Sequence, residues 1–142
     1  MIRLKQYRLL SAGLLLAVNV LVACGPDEPK IKNVLVGKWN IYAIQSAGEP
    51  APRPISPTYM LEFDAGYHYF IEFDINPCAG DFNIYDRPEN LYLTPLACQN
   101  VCCDSPTAED IKQMVRSADS FSLENDTLRI MGDGILHMKK IN

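Results

Sequence analysis

Tyr59-Met60-Leu61-Glu62-Phe63-Asp64-Ala65-Gly66-Tyr67-His68-Tyr69-Phe70-Ile71-Glu72-Phe73-Asp74-Ile75 alternates apolar and polar side chains on both sides of one short break. Alternation of period two marks a half-buried β-strand, and two such runs around a glycine-containing break form a hairpin. Tyr59, Leu61 and Phe63 share one face of the first run. Tyr69, Ile71, Phe73 and Ile75 share one face of the second. Both sets stay on the same side only if Phe63 stands opposite Tyr69. That register leaves Ala65-Gly66-Tyr67 as a three-residue loop and sets Asp64 across from His68. Phe70 is an aromatic in the polar row, open to a partner or to cover by a helix.

The same reading extends outward. Leu35 to Ile44 is a first strand with Leu35, Trp39, Ile41 and Ala43 on one face. Ala47 to Pro57 holds Pro50, Pro52, Pro54 and Pro57, which cannot donate to a ladder, and reads as a loop. Asn76-Pro77-Cys78-Ala79-Gly80 breaks the strand after the hairpin. Phe82 and Ile84 mark a short fourth strand, Arg87-Pro88-Glu89-Asn90 a turn, and Leu91 to Leu96 a fifth strand. Pro106 to Ala118 is the one good helix. Ser105 is its N-cap, Pro106 its first position, Glu109 and Asp110 lie in the first turn, and Ala108, Ile111, Met114, Val115 and Ala118 form an apolar stripe. Three strands follow, Ser120–Glu124, Thr127–Met131 and Ile135–Lys140, with turns at Asn125-Asp126 and Gly132-Asp133-Gly134. About eight antiparallel strands and one helix make a mainly β domain, and curling into a barrel removes its open edges.

The N-terminus sets the expected address. Arg3, Lys5 and Arg8 precede an apolar stretch, Leu9 to Val22, which ends in Leu21-Val22-Ala23-Cys24-Gly25. Fourteen residues are too few to span a bilayer, which takes about 20. The layout is that of a secretory signal. The closing string resembles the lipobox of bacterial lipoproteins. The resemblance implies that residues 1–23 are a signal peptide, that Cys24 is acylated (palmitate among its chains), and that 24–33 tether the lipid to a domain at 34–142. The protein is thus expected at the cell envelope, on the outer membrane, facing the periplasm or the surface. Asp27 and Glu28 resemble the surface-export signals of lipoproteins in some Gram-negative lineages; a solvated linker has the same composition.

After the expected cut, ten Lys and Arg stand against seventeen Asp and Glu, a charge of about −7. So acidic a domain repels nucleic-acid phosphates. Cys78, Cys98, Cys102 and Cys103 form an even, exported set and read as two disulfides. A bond between the neighbours Cys102 and Cys103 is strained. Cys78 is therefore expected to bond into the 98–103 segment, with a second bond local to that segment and the pairing open. Their spacing does not match the paired Cys-x₂-Cys knuckles of zinc sites, so no metal or other cofactor is expected.

Leu35-Val36-Gly37-Lys38-Trp39 opens the domain, Asn76-Pro77-Cys78-Ala79-Gly80-Asp81-Phe82 stands mid-chain, and Leu93-Thr94-Pro95-Leu96-Ala97-Cys98 precedes the acidic helix. In this order the residues resemble the META/HslJ family of small envelope lipoproteins over nearly all of 34–142. Pro77 and Ala79 replace that family's Gly and Asn beside the cysteine, and Cys102-Cys103 are additional. The resemblance implies a barrel-like domain, a part in envelope stress tolerance and no enzymatic activity. Gly37-x-Trp39 also resembles the start of lipocalins, where the tryptophan plugs one barrel end.

Three kinds of site remain. Trp39, Phe63 and Tyr69 either form core or line a cavity for a small apolar ligand, as in a carrier. Glu62, Asp64, Glu72 and Asp74 share the outward face of the hairpin with His68; such carboxylates serve an enzyme only if they converge in a concave site. His137, out of phase with Leu136 and Met138, reads as a surface histidine. No residue receives a catalytic role, and the favoured reading is a binding or interaction domain.

Overall fold

The computed structural model describes residues 34–85, 87, 89–99 and 101–142. Nine strands and one helix follow in the order β1 (Gly37–Ser46), β2 (Arg53–Phe63), β3 (His68–Glu72), β4 (Pro77–Ile84), β5 (Leu91–Leu93), β6 (Ala97–Cys98), α1 (Pro106–Ser117), β7 (Ser120–Glu124), β8 (Thr127–Met131) and β9 (Gly134–Ile141). Every pairing is antiparallel, and the strands lie in the order β5-β4-β3-β2-β1-β9-β8-β7, with β6 beside β4. The two outer strands nearly meet. Leu91 N–H donates to Asp119 O and Phe121 N–H to Glu89 O, each at 2.9 Å, and Asn90 bridges Ser120. The sheet is thus a nearly closed barrel, mainly β, as the alternation implies.

The central hairpin has the register that its apolar faces demand. Phe63 pairs with Tyr69, Glu62 with Phe70, and Asp64 N–H donates to His68 O. In the loop the left-handed position falls to Tyr67, at φ 68°, a conformation costly for a side chain with a Cβ. Tertiary contacts offset that cost: Tyr67 O accepts from Phe82 N–H at 2.8 Å, and its ring stands 5.9 Å from that of Phe82.

The apolar faces turn inward as one cluster around Trp39, which is 0% exposed. Its Nε1–H donates to Leu35 O at 2.7 Å, so the buried indole is satisfied. The Phe63 and Phe82 rings meet edge to face at 4.9 Å. Tyr69 lies over Gly80, its cross-strand partner; a Cβ there would stand 2.6 Å from the ring, so only glycine fits. Helix α1 crosses the barrel end formed by the end of β1 and the starts of β2 and β9. Ala108, Ile111, Met114 and Val115 bury its apolar stripe in the same core. Ser105 caps it, its hydroxyl accepting Ala108 N–H at 3.3 Å.

Several local expectations are overturned. Residues 53–57 belong to β2 despite Pro54 and Pro57. β3 pairs β2 only from Met60 onward, so the proline stretch has an open side that needs no donors. The expected break at 76–80 is the start of β4. Pro77 is its first residue, where no ladder donor is required, and the Cys78–Cys98 bond fastens β4 to β6. The fifth strand ends at Leu93, and Ala97–Cys98 forms a separate strand. Ile75 is exposed because β3 ends at Glu72.

A bulge in β1 between Ile41 and Ala43 has wider effects. It hands the inward place to Ile44, which pairs with core Leu136, and puts Ala43 on the outer face opposite His137. His137 is not a surface histidine. It is 8% exposed, beside Tyr42 and Arg129, and its Nε2 has no hydrogen-bond partner among the described residues. Burial, and then the Arg129 charge, push its pKa below the usual histidine value.

Trp39→Ala should cost about 3–5 kcal/mol, as for a core aromatic truncation; urea unfolding measures it, and a near-wild-type midpoint would contradict the placement. For His137 the folded state holds the proton less tightly than the unfolded state, so stability falls as pH drops through about 6.5. His68, raised mainly by its hydrogen bond to Asp81, works in the opposite direction. The fall in stability between pH 7 and pH 5 should therefore be smaller in His137→Leu than in the wild type, read by urea unfolding at both pH values.

Candidate functional site

The hairpin register and its continuation into β4 generate an ordered outer face. Across β2, β3 and β4 three rows stand side by side: Asp64–His68–Asp81, Glu62–Phe70–Ala79 and Met60–Glu72–Pro77. Ala97 of β6 extends the middle row. Phe70 is 44% exposed at its centre, in an open groove of about 370 Å³ lined by Met60, Glu62, Phe70, Glu72, Ala79 and Ala97, among others. The buried face of α1 is spent on the core, so the helix does not cover Phe70.

Charge on this face is mostly negative. Glu62 meets Lys38 of β1 at 3.6 Å, an exposed pair of small energetic worth. Glu72 has no ion pair among the described residues. His68 Nδ1 stands 2.6 Å from Asp81 Oδ1, and Asp64 Oδ1 accepts His68 N–H at 2.9 Å. The Asp81 hydrogen bond raises the histidine pKa despite some desolvation, with the Asp64 charge adding to the rise. Asp81 was not nominated from the sequence. Extending the period-two register one strand beyond the hairpin would have found it.

Of the four carboxylates expected on this face, Glu62, Asp64 and Glu72 are there and Asp74 is not. Beyond the end of β3 the chain turns to the barrel end, where Asp74 accepts Ser105 N–H and Tyr59 O–H, both at 2.8 Å. Those bonds, the Ser105 amide first, lower its pKa. The carboxylates are thus divided between an outer face and a helix cap.

Trp39, Phe63 and Tyr69 are core. They are at most 1% exposed, the Phe63 and Tyr69 ring centroids stand 6.3 Å apart, and Tyr69 O–H donates to Thr94 O at 2.6 Å. Burial pushes the Tyr69 phenol well above its usual range.

A second cluster, invisible in the sequence, lies at the barrel end. Asp104, with its side chain fully buried, receives Lys112 Nζ at 2.6 Å, Asn76 Nδ2 at 2.8 Å and the amides of Ile75 and Asn76 at 3.0 and 3.3 Å. Burial alone would raise its pKa; these donors outweigh burial and hold it at about 2. Lys112 also bonds Glu109 at 2.7 Å and stands 5.1 Å from the centroid of the Phe73 ring. Asn76 Oδ1 accepts Val101 N–H at 2.8 Å, and Asn76 Nδ2 donates to Cys102 O at 2.7 Å. The segment that carries Cys102 and Cys103 is therefore pinned to the β3–β4 corner.

Among the described residues one disulfide forms, Cys78–Cys98, across a directly paired position of β4 and β6. This fulfils the expected link from Cys78 into the 98–103 segment. The expected second bond is absent: with Cys98 taken by Cys78, the local pairing that is left joins the neighbours Cys102 and Cys103, which is strained, and both are free and exposed. Cys24, the expected lipid attachment, lies outside the described residues.

No family model and no curated protein matches the chain. Two solved structures share its fold. A crystal structure of a DUF4847 family protein from Bacteroides vulgatus superposes with a TM-score of 0.59 at 7% identity, over 76% of this chain and 96% of that one. An NMR structure of a protein from Burkholderia xenovorans gives a TM-score of 0.59 at 17% identity, over 85% of this chain and 93% of that one. At these identities the likeness shows the barrel-like fold alone.

Proposed function

We propose that this is a lipid-anchored protein of the cell envelope whose non-catalytic, META-like domain acts by binding, and that it holds a basic, extended peptide segment of another envelope protein. The observation that carries the binding reading is Phe70, a large aromatic left open on the outer sheet face between acidic neighbours. An apolar anchor flanked by the Glu62 and Glu72 carboxylates suits a segment that combines an aliphatic or aromatic side chain with Lys or Arg. The acidic balance of the chain favours the same partner. The burial of Trp39, Phe63 and Tyr69 in the core cluster favours a surface reading over a carrier of a small apolar molecule. Anchoring through Cys24 rests on the lipobox-like string 21–25, and a part in envelope stress tolerance rests on the META-like motifs.

Radiolabelled palmitate should label the protein in cells, and Cys24→Ala should abolish the label; equal labelling of the variant would overturn the anchor. For the groove, fluorescence anisotropy should show saturable, salt-sensitive binding of labelled peptides that join Lys or Arg to an apolar anchor. Phe70→Ala and Glu72→Lys should each weaken it about tenfold or more, roughly 1.4 kcal/mol. Both side chains are exposed, so both variants should keep the wild-type circular dichroism. Binding that neither variant changes would remove the groove from the reading.

A further inference from the structure

Cys102 and Cys103 are adjacent, exposed and outside both the core and the Cys78–Cys98 bond. Their Sγ atoms lie 3.0 Å apart. The backbone that carries them is held on both sides. Val101 N–H and Cys102 O are fixed by the buried Asn76 side chain, and the next residue is Asp104, the centre of the barrel-end cluster. Ser105 then caps α1. Two thiols are thus presented to solvent side by side on an immobilised strap, and among the described residues no other side chain hydrogen-bonds to them. Hydrogen bonds from the Cys103 side chain and backbone draw the Cys102 thiol below its ordinary pKa, against smaller opposing effects of desolvation and the Asp104 charge. A thiol drawn down in this way is more readily the attacking thiolate.

We propose that Cys102 and Cys103 form a redox-active pair that interconverts between dithiol and vicinal disulfide by exchange with an external disulfide. The Cys102 thiolate attacks one sulfur of a disulfide R–S–S–R; a Cys102–S–S–R bond forms, the S–S bond of the reagent breaks, and one RS⁻ leaves. The Cys103 thiolate then attacks Cys102 Sγ, closing the Cys102–Cys103 bond and expelling the second RS⁻. The two protons from the cysteines go to the two released thiolates. The pair is oxidised by two electrons and R–S–S–R is reduced to two R–SH. The reverse reaction needs a thiol.

Adjacency decides the character of this bond. Neighbouring Cα atoms across a trans peptide are about 3.8 Å apart, short of the usual disulfide span of roughly 4.4–6.8 Å. The ring is strained, and strained, exposed disulfides are the easily reduced ones. The same strain that disfavours a permanent structural bond here makes a reversible one. Cys78 is buried in the core, so the Cys78–Cys98 bond should stay closed where the vicinal pair opens.

The test is a series of reduced and oxidised glutathione buffers applied to the full-length protein, quenched with acid and alkylated. Thermolysin, which cuts before Val101, then separates Cys98 from Cys102 for mass spectrometry. The expected result is that Cys102 and Cys103 pass together from doubly alkylated to linked, lacking two hydrogens, while Cys78–Cys98 stays bonded. Cys103→Ser should accumulate a glutathione adduct on Cys102, because the resolving thiol is gone. The proposal is overturned if the pair stays alkylated throughout, stays linked throughout, or opens only in step with Cys78–Cys98. It is equally overturned if Cys103→Ser carries no adduct at Cys102.

Discussion

The Asp104 carboxylate is where three separated parts of the chain are tied together. It takes the amides of the β3–β4 corner, the Asn76 side chain and the ammonium of Lys112 on α1. Both charges are largely withdrawn from water, and such a pair tolerates no missing member: loss of one partner from a buried pair costs about 3–5 kcal/mol, because the other is left uncompensated. The geometry answers that demand. Asp104 accepts four donors, and Lys112 is shared with Glu109 and backed by the Phe73 ring. Without this cluster the helix would have Ser105 and its apolar stripe but no fixed approach to the barrel end, and the strap at 101–103 would lose its anchor.

That anchoring separates the two faces of the molecule. Inside, a nearly closed sheet removes apolar side chains from water on every strand, and α1 covers one end. Outside, the side chains left over by the period-two pattern line up in rows. In the row through Phe70, β4 and β6 place Ala79 and Ala97 beside the ring, and these small residues leave it exposed. The groove on this face and the cysteine strap are independent features. One is a product of strand register, the other of a buried polar cluster.

How much of this could be read in advance depended on the range of the interaction. The hairpin register, the Ser105 cap and the strands around Asn125-Asp126 and Gly132-Asp133 follow from neighbours a few residues apart, and the structure has them. The proline-bearing part of β2 is not legible locally, because proline excludes a strand only where both edges need donors, and the open edge is a property of the sheet. The burial of His137 is hidden because a one-residue bulge in the partner strand β1, silent in the composition of Ile41-Tyr42-Ala43, alters which residue faces it. The place of Asp74 is hidden because alternation carries no mark of where a strand stops.

Alternation and helical spacing dictate the helix, most of the strands with their inward faces, and an antiparallel sheet that curls, since each expresses the need to bury one side of an element. Which cysteines bond, which carboxylates sit together and where Phe70 is left open are settled by how the strands and α1 pack. The disulfide and the anchoring of the cysteine strap depend on pairings between residues 20 or more positions apart, such as Cys78 with Cys98 and Asn76 with Cys102. No local propensity encodes such pairings. They are selected by the closure of the sheet and by the requirement that every group buried in that closure find a partner.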